Sequence, residues 1–487
     1  MQTSSPLFFT GSDTSDTASQ SAKTVFYDLF AGPSCACELD NSANFLQSQL
    51  DLAARLDSDL PAEMAGLYAW MEHNTEAVGH SYRDYLAARQ AGAPRRYFAT
   101  KSSALYFLRS VAPTKLVDGA WLYGLLEHWQ DTRFLALIQT YLEELGEGLP
   151  TKNHVVLYKK LLAAQGCEQF DDLSENHYVQ GAIQLSLAYH APQFLPEIIG
   201  FNLGYEQLPL HLLISAYELK ELGIDPYYFT LHITVDNSDT GHAKKAVDAI
   251  FEARPKLGDA ADFYRRVCNG YKLNSLGAGT TAVIADFDLE REMTAIFRKK
   301  SIVGQFAHSD YRRVMGRTVN DWLSDPAQTP KFIAAMESEG WFKRHQDPKN
   351  SRFWKLIEGE KARMFGVFNA YEQQVIYDWI AGDARAQFPR PTREAGLSHD
   401  AKNRLREAAQ EAAQSAIVTR SARAESDDFN DDFNDDFEAE VRVLERNLSS
   451  ATGQQDAMKK LIALMSPAHH HSAPGLMATR IFNDVLG

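Results

Sequence analysis

The chain has few cysteines, and their spacing argues against cysteine-based chemistry. Only four occur among 487 residues, and no two of them form a CxxC pair, which argues against a zinc ribbon. Cys35 and Cys37 lie so close together in the sequence that we expect no bridge between them. These observations favour free thiols and a reducing compartment.

The sequence also lacks the features of a membrane, secreted or nucleic-acid-binding protein. No stretch approaches the roughly 20 apolar residues that a membrane-spanning helix needs. The N-terminus, MQTSSPLFFTGSDTSDTASQ, has no positive segment followed by an apolar run, so it is not a secretory signal. A net charge of −15 disfavours binding to nucleic acid or to anionic membranes. We predict a soluble cytoplasmic protein without these partners.

Several catalytic motifs are absent as well. The chain contains no HExxH, no Walker loop and no Glu-x-x-His of the ferritin-like diiron kind. The segment GAGTTA (277–282) matches a loose dinucleotide-binding pattern, but it follows YKLNSL, which is not a convincing buried strand. The sequence therefore does not indicate a nucleotide-dependent enzyme.

Apolar residues recur at the three- and four-residue spacing of amphipathic helices from about Asn41 onward. Examples are WLYGLLEHW, RFLALIQTYLEEL and VVLYKKLLAAQG, the last closed by Gly166 as a helix C-cap. A second helical block runs from about Met293 to Ile380, and Pro389 and Pro391 then mark a linker. This spacing predicts an all-α protein with short connections.

The C-terminal hundred residues contain two unusual runs. The first, DDFNDDFNDDFE from Asp427 to Glu438, lies in a segment with nine acids and no bases (425–440). We interpret it as a solvated acidic linker, with a partner-docking segment as the alternative. The second, His469–His471, lies between two prolines and is expected in a loop, where a histidine run is seldom a metal site.

One stretch near the middle, YYFTLHITVDNSDTGHAKKA, concentrates residues that can bind metals. Its segment from His232 to His242 contains two histidines and two aspartates, Asp236 and Asp239. Alternation of apolar and polar residues from Phe229 favours a strand followed by a turn. In a helix, at about 100° per residue, all four side chains would share one face about 120° wide. Both interpretations stay open at this point.

Two further elements carry acids in otherwise apolar surroundings. In EELGEGLPTKNH, Glu144 precedes a glycine-rich break and His154 falls in the first turn of the next helix. In FLPEIIGFNLGYEQLPLHLL, Glu197 and Glu206 interrupt an apolar helical run. Taken singly, each of these acids is more often a surface or helix-end residue than a ligand.

Taken in order, these three elements resemble the heme-oxygenase-like diiron oxidases and oxygenases, the iron-containing redox enzyme family. The resemblance covers about residues 116–253. A Glu with a His ten positions later corresponds to Glu144 and His154, and a mid-helix Glu to Glu206. His232 and Asp236 match the first half of a His-x-x-x-Asp-x-x-His helix. Asp239 then stands where the second His is expected, and His242 follows three residues later.

The resemblance implies a heme-oxygenase-like helical bundle with additional helical segments. The predicted organisation is a disordered N-terminal segment (1–42), a metal-binding helical domain (43–290), a helical subdomain (291–386), and a linker, acidic repeat and tail (387–487). The implied metal ligands are Glu144, His154, Glu206, His232, Asp236 and His242, with Asp239 and Glu197 as alternates. Mixed carboxylate and imidazole ligands without thiolate suit Fe(II).

The implied function is that of a non-heme diiron oxidase or oxygenase with two Fe(II) per chain. It would use O₂ to oxidise a small amino acid, amine or fatty acid, and no catalytic residue is predicted apart from the metal ligands. The alternative function is a non-catalytic helical interaction protein with a degenerate site. A heme-degrading oxygenase is disfavoured, because a single proximal His would not need so many acids. Candidate protein partners are a ligand of the acidic repeat and a second copy of the chain in a homodimer.

Overall fold

The computed structural model describes residues 20–235, 241–305, 307–308, 311–387 and 438–486, and most of these are helical. The predicted all-α class is therefore confirmed. The α-helices are α1 (Ala22–Phe30), α2 (Ala36–Ala53), α3 (Leu67–Gln90), α4 (Lys101–Ser110), α5 (Ala112–Lys115), α6 (Leu135–Glu144), α7 (His154–Gln165), α8 (Glu175–Tyr189), α9 (Ala191–Tyr205), α10 (Leu210–Glu221), α11 (Tyr227–Val235), α12 (His242–Ala253), α13 (Ala260–Lys272), α14 (Thr280–Ala285), α15 (Leu289–Gly304), α16 (Val319–Leu323), α17 (Thr329–Ser338), α18 (Trp354–Ile357), α19 (Ala370–Ala381), α20 (Glu438–Ser449), α21 (Gln454–Leu464) and α22 (Ala473–Leu486).

Short 3-10 helices and one small sheet complete the secondary structure of the described residues. The longest 3-10 helix, Ala120–His128, covers the WLYGLLEH segment; the others are Met64–Gly66, Thr132–Phe134, Gly146–Gly148, Leu273–Ser275, Pro326–Gln328, Pro348–Asn350 and Gly382–Gln387. The sheet has two antiparallel strands, β1 (Arg313–Val314) and β2 (Arg317–Thr318), with Arg313 opposite Thr318. Within the described ranges, no helix is both long and apolar enough to cross a membrane.

The buried apolar side chains form two cores. Core A combines the 3-10 helix Ala120–His128 with helices α1, α2, α6, α8, α9, α12, α13 and α20–α22. Core B combines α4, α7, α10, α11 and the helices from α14 to α19. The chain passes between the two cores several times, once between Leu116 of core B and Val117 of core A.

The segment Tyr227–Val235 is helical, so the strand interpretation was wrong. The expectation of one shared helix face was also wrong, because His242 begins a separate helix, α12, after the extended residue Gly241. The side chain of Asp225 accepts a hydrogen bond from the backbone N–H of Tyr227, and Pro226 precedes the first turn. Tyr228 and Phe229 are both buried in core B, which places them on neighbouring faces of a helix rather than on opposite faces of a sheet. Packing against core B has overridden the local strand propensity of the sequence.

The C-terminal residues predicted as a tail include three helices that belong to core A. Met458 and Leu461 of α21 and Phe482 of α22 are buried there. The acidic Phe repeat, except for its last residue Glu438, lies outside the described residues, as do residues 1–19 of the N-terminal segment predicted to be disordered. Residues 20–42 of that segment contain α1 and the start of α2, with Phe26 and Leu29 buried in core A, so the disorder predicted for them is wrong. The domain boundaries remain a prediction.

Cys35 and Cys37 are joined by a disulfide, which corrects the expectation that they would be unpaired. Cys35 is the extended N-cap of α2, and Cys37 lies in the first turn of that helix. This change of backbone direction leaves their Cα atoms 5.4 Å apart, within the range that a disulfide can bridge. Cys167 and Cys268 are free thiols. With two of four cysteines bridged, cysteine usage no longer supports a reducing compartment.

The disulfide can be tested by counting thiols. After denaturation without reductant, we expect two thiols per chain to react with Ellman's reagent, and four after reduction. The Cys35→Ser/Cys37→Ser double variant should give two thiols in both conditions, because only Cys167 and Cys268 remain. Four reactive thiols in the unreduced wild-type chain would contradict the bridge.

Candidate metal centre

Four buried side chains converge at the first of two clusters. Asp118, Glu144, His154 and His232 each offer one ligand atom, and these atoms lie within 4.8 Å of one another. Nε2 of His232 is 3.0 Å from Oδ2 of Asp118, and Nδ1 of His154 is 3.8 Å from the same oxygen. Nδ1 of His154 also lies 2.5 Å from Oε2 of Glu144. We call this set cluster 1.

Cluster 2 shares one residue with cluster 1. Glu144, Glu206 and His242 are all buried and again offer ligand atoms within 4.8 Å of one another. Nδ1 of His242 is 3.0 Å from Oε2 of Glu206 and 3.6 Å from Oε1 of Glu144. The two carboxylate oxygens of Glu144 therefore face different clusters, Oε2 toward cluster 1 and Oε1 toward cluster 2.

The turn between α6 and α7 brings Glu144 and His154 together. Glu144 is the last residue of α6, and Gly146, Glu147 and Gly148 all have positive φ, so the chain reverses within a few residues. The side chain of Asn153 caps α7 by accepting from the N–H of Val156, which starts that helix at His154. The glycines and the cap explain why a ligand pair can be ten positions apart and still meet.

The two histidines of the middle stretch are oriented by hydrogen bonds on their far sides. Nδ1 of His232 donates to the backbone carbonyl of Tyr228, which turns Nε2 toward Asp118. Nε2 of His242 donates to Glu143 over 2.7 Å, which turns Nδ1 toward Glu206. Such contacts fix the ring orientation of histidines that bind metals. No sequence pattern had identified these orienting groups.

Glu143 is itself held in place by a cation. Nζ of Lys245 lies 2.7 Å from both carboxylate oxygens of Glu143. Burial alone would raise the pKa of Glu143, but the contacts with His242 and Lys245 lower it to about 2. The carboxylate therefore stays ionised and keeps accepting from His242.

Asp118 is the functional residue that sequence reasoning missed. It is 1% exposed and precedes Gly119, whose φ is +78°. Its carboxylate accepts hydrogen bonds from the hydroxyls of Tyr205 and Tyr228, at 2.6 and 2.5 Å. The signal that could have found it is an acid enclosed by the apolar run LVDGAWL, the same signal that identified Glu206.

Positive charge compensates the buried acids of cluster 1. Burial alone would raise the pKa of Asp118, but Lys115, His232 and His154 outweigh it and hold that pKa well below its usual range. Burial would likewise lower the pKa of His232, but the hydrogen bond and charge of Asp118 raise it to about 9. Burial would raise the pKa of Glu144, yet the charge of His154 keeps it lowered. Carboxylates at this depth are stable only with such partners.

The clusters lie where the two cores meet. Glu144, Glu206 and His242 are carried by α6, α9 and α12, which pack in core A. His154 and His232 are carried by α7 and α11, which pack in core B, and Asp118 follows one of the points where the chain crosses between the cores. Ligands from separate helices can thus be directed at one point without interrupting either core.

A buried nitrogen without a regular hydrogen bond further supports a divalent iron at these clusters. Nδ1 of His154 is buried and makes no hydrogen bond of normal geometry, although the Glu144 carboxylate lies 2.5 Å away. A buried nitrogen of this kind is costly unless a partner satisfies it. Metal–ligand bonds of about 2 Å place ligand atoms up to about 4 Å apart, close to the separations found here. Carboxylate and imidazole donors without thiolate suit Fe(II).

The remaining predicted ligands have different outcomes. Glu206 lies at the C-terminal cap of α9 instead of mid-helix, because the helix ends at Tyr205. Glu197 belongs to neither cluster; its carboxylate pairs with Arg266 of α13, at 2.6 Å, so its candidacy as a ligand is not supported. Asp236 and Asp239 lie outside the described residues, and their roles stay predictions.

A comparison with known families agrees with this geometry. Residues 105–274 match the model of a family described as iron-containing redox enzyme, and all residues of both clusters fall within that range. The resemblance to heme-oxygenase-like iron enzymes is thereby confirmed over these residues, and the match supports an oxidoreductase at a coarse level. No curated protein and no solved structure matches the chain.

Gly119 provides a test of the cluster geometry. A Cβ at this position would lie 2.8 Å from Cβ of Glu144, so Gly119→Ala must displace the residue that both clusters share. We expect the variant to lose more than half of its bound iron after anaerobic Fe(II) loading, measured by a colorimetric iron assay.

Gly316→Ala is the matched control for that variant. Gly316 has a similar φ, +76°, but no atom lies within 4 Å of the position that a Cβ would take, so the variant carries the backbone strain without the clash. Full iron content in both variants would show that the approach of Gly119 to Glu144 is irrelevant to metal binding.

Proposed function

We propose that the protein is a non-heme diiron oxidase or oxygenase that uses O₂ to oxidise a small organic substrate. The observation that carries this proposal is the sharing of Glu144 by two buried clusters of carboxylates and imidazoles. One carboxylate with an oxygen toward each cluster is suited to bridge two ions. The family match over residues 105–274 supports iron as the metal.

In this proposal the ligands are Asp118, Glu144, His154 and His232 for one ion, and Glu144, Glu206 and His242 for the other. Bound Fe(II) would supply the electrons that activate O₂. The chain's own residues hold the ligands in place, since Glu143 and the Tyr228 carbonyl fix two of the rings. Asp236 or Asp239 remains a candidate to complete the coordination.

The surroundings of Asp118 suggest how protons and solvent are controlled. Lys115, whose side chain is 19% exposed, donates to the Tyr205 hydroxyl over 2.9 Å, and that hydroxyl donates to Oδ1 of Asp118. This chain of hydrogen bonds offers a path for a proton from the partly exposed ammonium of Lys115 to Asp118 in cluster 1. The ligands themselves are at most 6% exposed, which limits access of bulk water.

The substrate class, an amino acid, an amine or a fatty acid, stays a proposal taken from the family resemblance. A protein partner for the acidic Phe repeat, a homodimer and a cytoplasmic location are likewise predictions. The alternative function, an interaction protein with a degenerate site, gains no support from the described residues. Five of the six implied ligands meet in buried clusters, as a functional site requires.

The proposal predicts different iron losses for two ligand variants. Anaerobic Fe(II) loading of the wild-type chain should give about two irons per chain, and O₂ should then produce a transient visible absorption band. Because Glu144 faces both clusters, Glu144→Ala should lose nearly all iron. His232 belongs to cluster 1 alone, so His232→Ala should retain about one iron per chain.

Glu147→Ala is a control for the first variant, because Glu147 lies in the same turn but faces Lys152 at the surface. Circular dichroism should show unchanged helical content in all three variants. Iron binding at about two per chain that survives both ligand substitutions would refute the assignment of the site. Binding of iron without any reaction with O₂ would favour the non-catalytic alternative.

A further inference from the structure

The C-terminal hairpin, defined as α21, α22 and the turn between them, packs directly behind the proposed iron site. The hydroxyl of Tyr141 on α6 donates to the backbone carbonyl of Met465 at the end of α21, over 2.6 Å, and this contact is buried. Tyr141 is one helical turn before Glu144. The hairpin lies outside the family match, which ends at residue 274.

The hairpin also closes on the turn that joins the two ligand helices. Gly148 has φ +81°, and a Cβ there would clash with the backbone oxygen of Leu476 in α22. Nε of Arg480, also in α22, donates to the carbonyl of Gly148 over 3.1 Å. Only glycine permits this approach, so the turn between Glu144 and His154 packs directly against the hairpin.

His470, in the turn of the hairpin, contacts Asn153, the residue directly before the ligand His154. It is 2% exposed, and its Nδ1 lies 3.2 Å from Nδ2 of Asn153. An amide nitrogen can only donate, so Nδ1 of His470 must accept and the ring must carry its proton on Nε2. Burial, together with the charges of neighbouring groups, lowers the pKa of His470 well below its usual value, which keeps the ring neutral.

Asn153 connects the two ends of the ligand turn. Its Nδ2 also donates to the carbonyl of Leu145, the residue after Glu144, over 3.1 Å. Its Oδ1 caps α7, the helix that begins at His154. One side chain therefore ties the end of α6 to the start of α7, and His470 holds that side chain from behind.

We propose that His470 is a positioning residue for the iron site and that it acts through Asn153 to keep Glu144 and His154 within reach of one metal ion. This inference rests on the proposed function. It assigns a role to the histidine run that the sequence alone placed in an ordinary loop. It also makes the last part of the chain, beyond the family match, a component of the site.

The test uses the full chain and Fe(II) or Co(II) alone as probes. Affinity is measured by anaerobic titration, and the visible spectrum of the Co(II) form reports the ligand geometry. We expect His470→Ala to weaken binding at cluster 1 about tenfold or more and to shift the Co(II) bands, as removal of orienting partners does elsewhere. His470→Asn, which places an acceptor oxygen near the position of Nδ1, should restore binding to within about threefold.

His469→Ala is the matched control, because His469 is the exposed neighbour in the same turn. It should bind both metals like the wild-type chain. Unchanged affinity and an unchanged Co(II) spectrum in His470→Ala would overturn the inference and leave the proposed function intact. Failure of the wild-type chain to bind either metal would overturn both.

A double-mutant cycle separates a role through Asn153 from a general loss of packing. Asn153→Ser keeps a side chain that caps helices well but is too short to reach Leu145 or His470. If His470 acts through Asn153, the double variant should bind metal no more weakly than Asn153→Ser alone. Additive losses of affinity in the double variant would contradict the proposal, even if His470→Ala also lowers thermal stability.

Discussion

The buried carboxylate of Glu144 is the constraint on which the rest of this structure depends. A charged group at this depth is tolerated only with close partners of opposite charge or with a metal. His154 approaches one oxygen and His242 the other, while the bare backbone of Gly119 packs against the methylene groups. Three separate parts of the chain must reach Glu144 at once, and this requirement shapes the helices that carry them.

Around Glu144, the backbone allows close approach and the side chains orient the ligands. Positive-φ glycines allow the chain to come close, at Gly119 beside the carboxylate and at Gly146 and Gly148 in the turn. Polar groups outside the clusters then set the direction of each ring, as Glu143 does for His242. The ligand atoms only have to donate lone pairs to a metal. A small change in a supporting group outside the clusters can therefore turn a ligand away from the metal.

Much of the site could be predicted from the sequence because its signals are local. The helix end at Glu144, the glycine break and the first turn at His154 lie within one short segment, and the all-α class follows from the spacing of apolar residues. Asp118 was missed because its only local signal is the apolar run around it, and its partners Tyr205 and Tyr228 are far away in sequence. Around His232 the local pattern left strand and helix both open, since contacts with core B decide its conformation. The packing of α21 and α22 depends on contacts with residues more than 300 positions earlier, such as Tyr141.

The position of the clusters between core A and core B has a thermodynamic consequence. Each apolar core is continuous within itself, and the ligands are drawn from both. A bound ion would therefore act as a cross-link between two halves of the molecule, and its binding free energy would be added to the free energy of unfolding. Metal supply would then affect the stability of the folded chain as well as its capacity for chemistry.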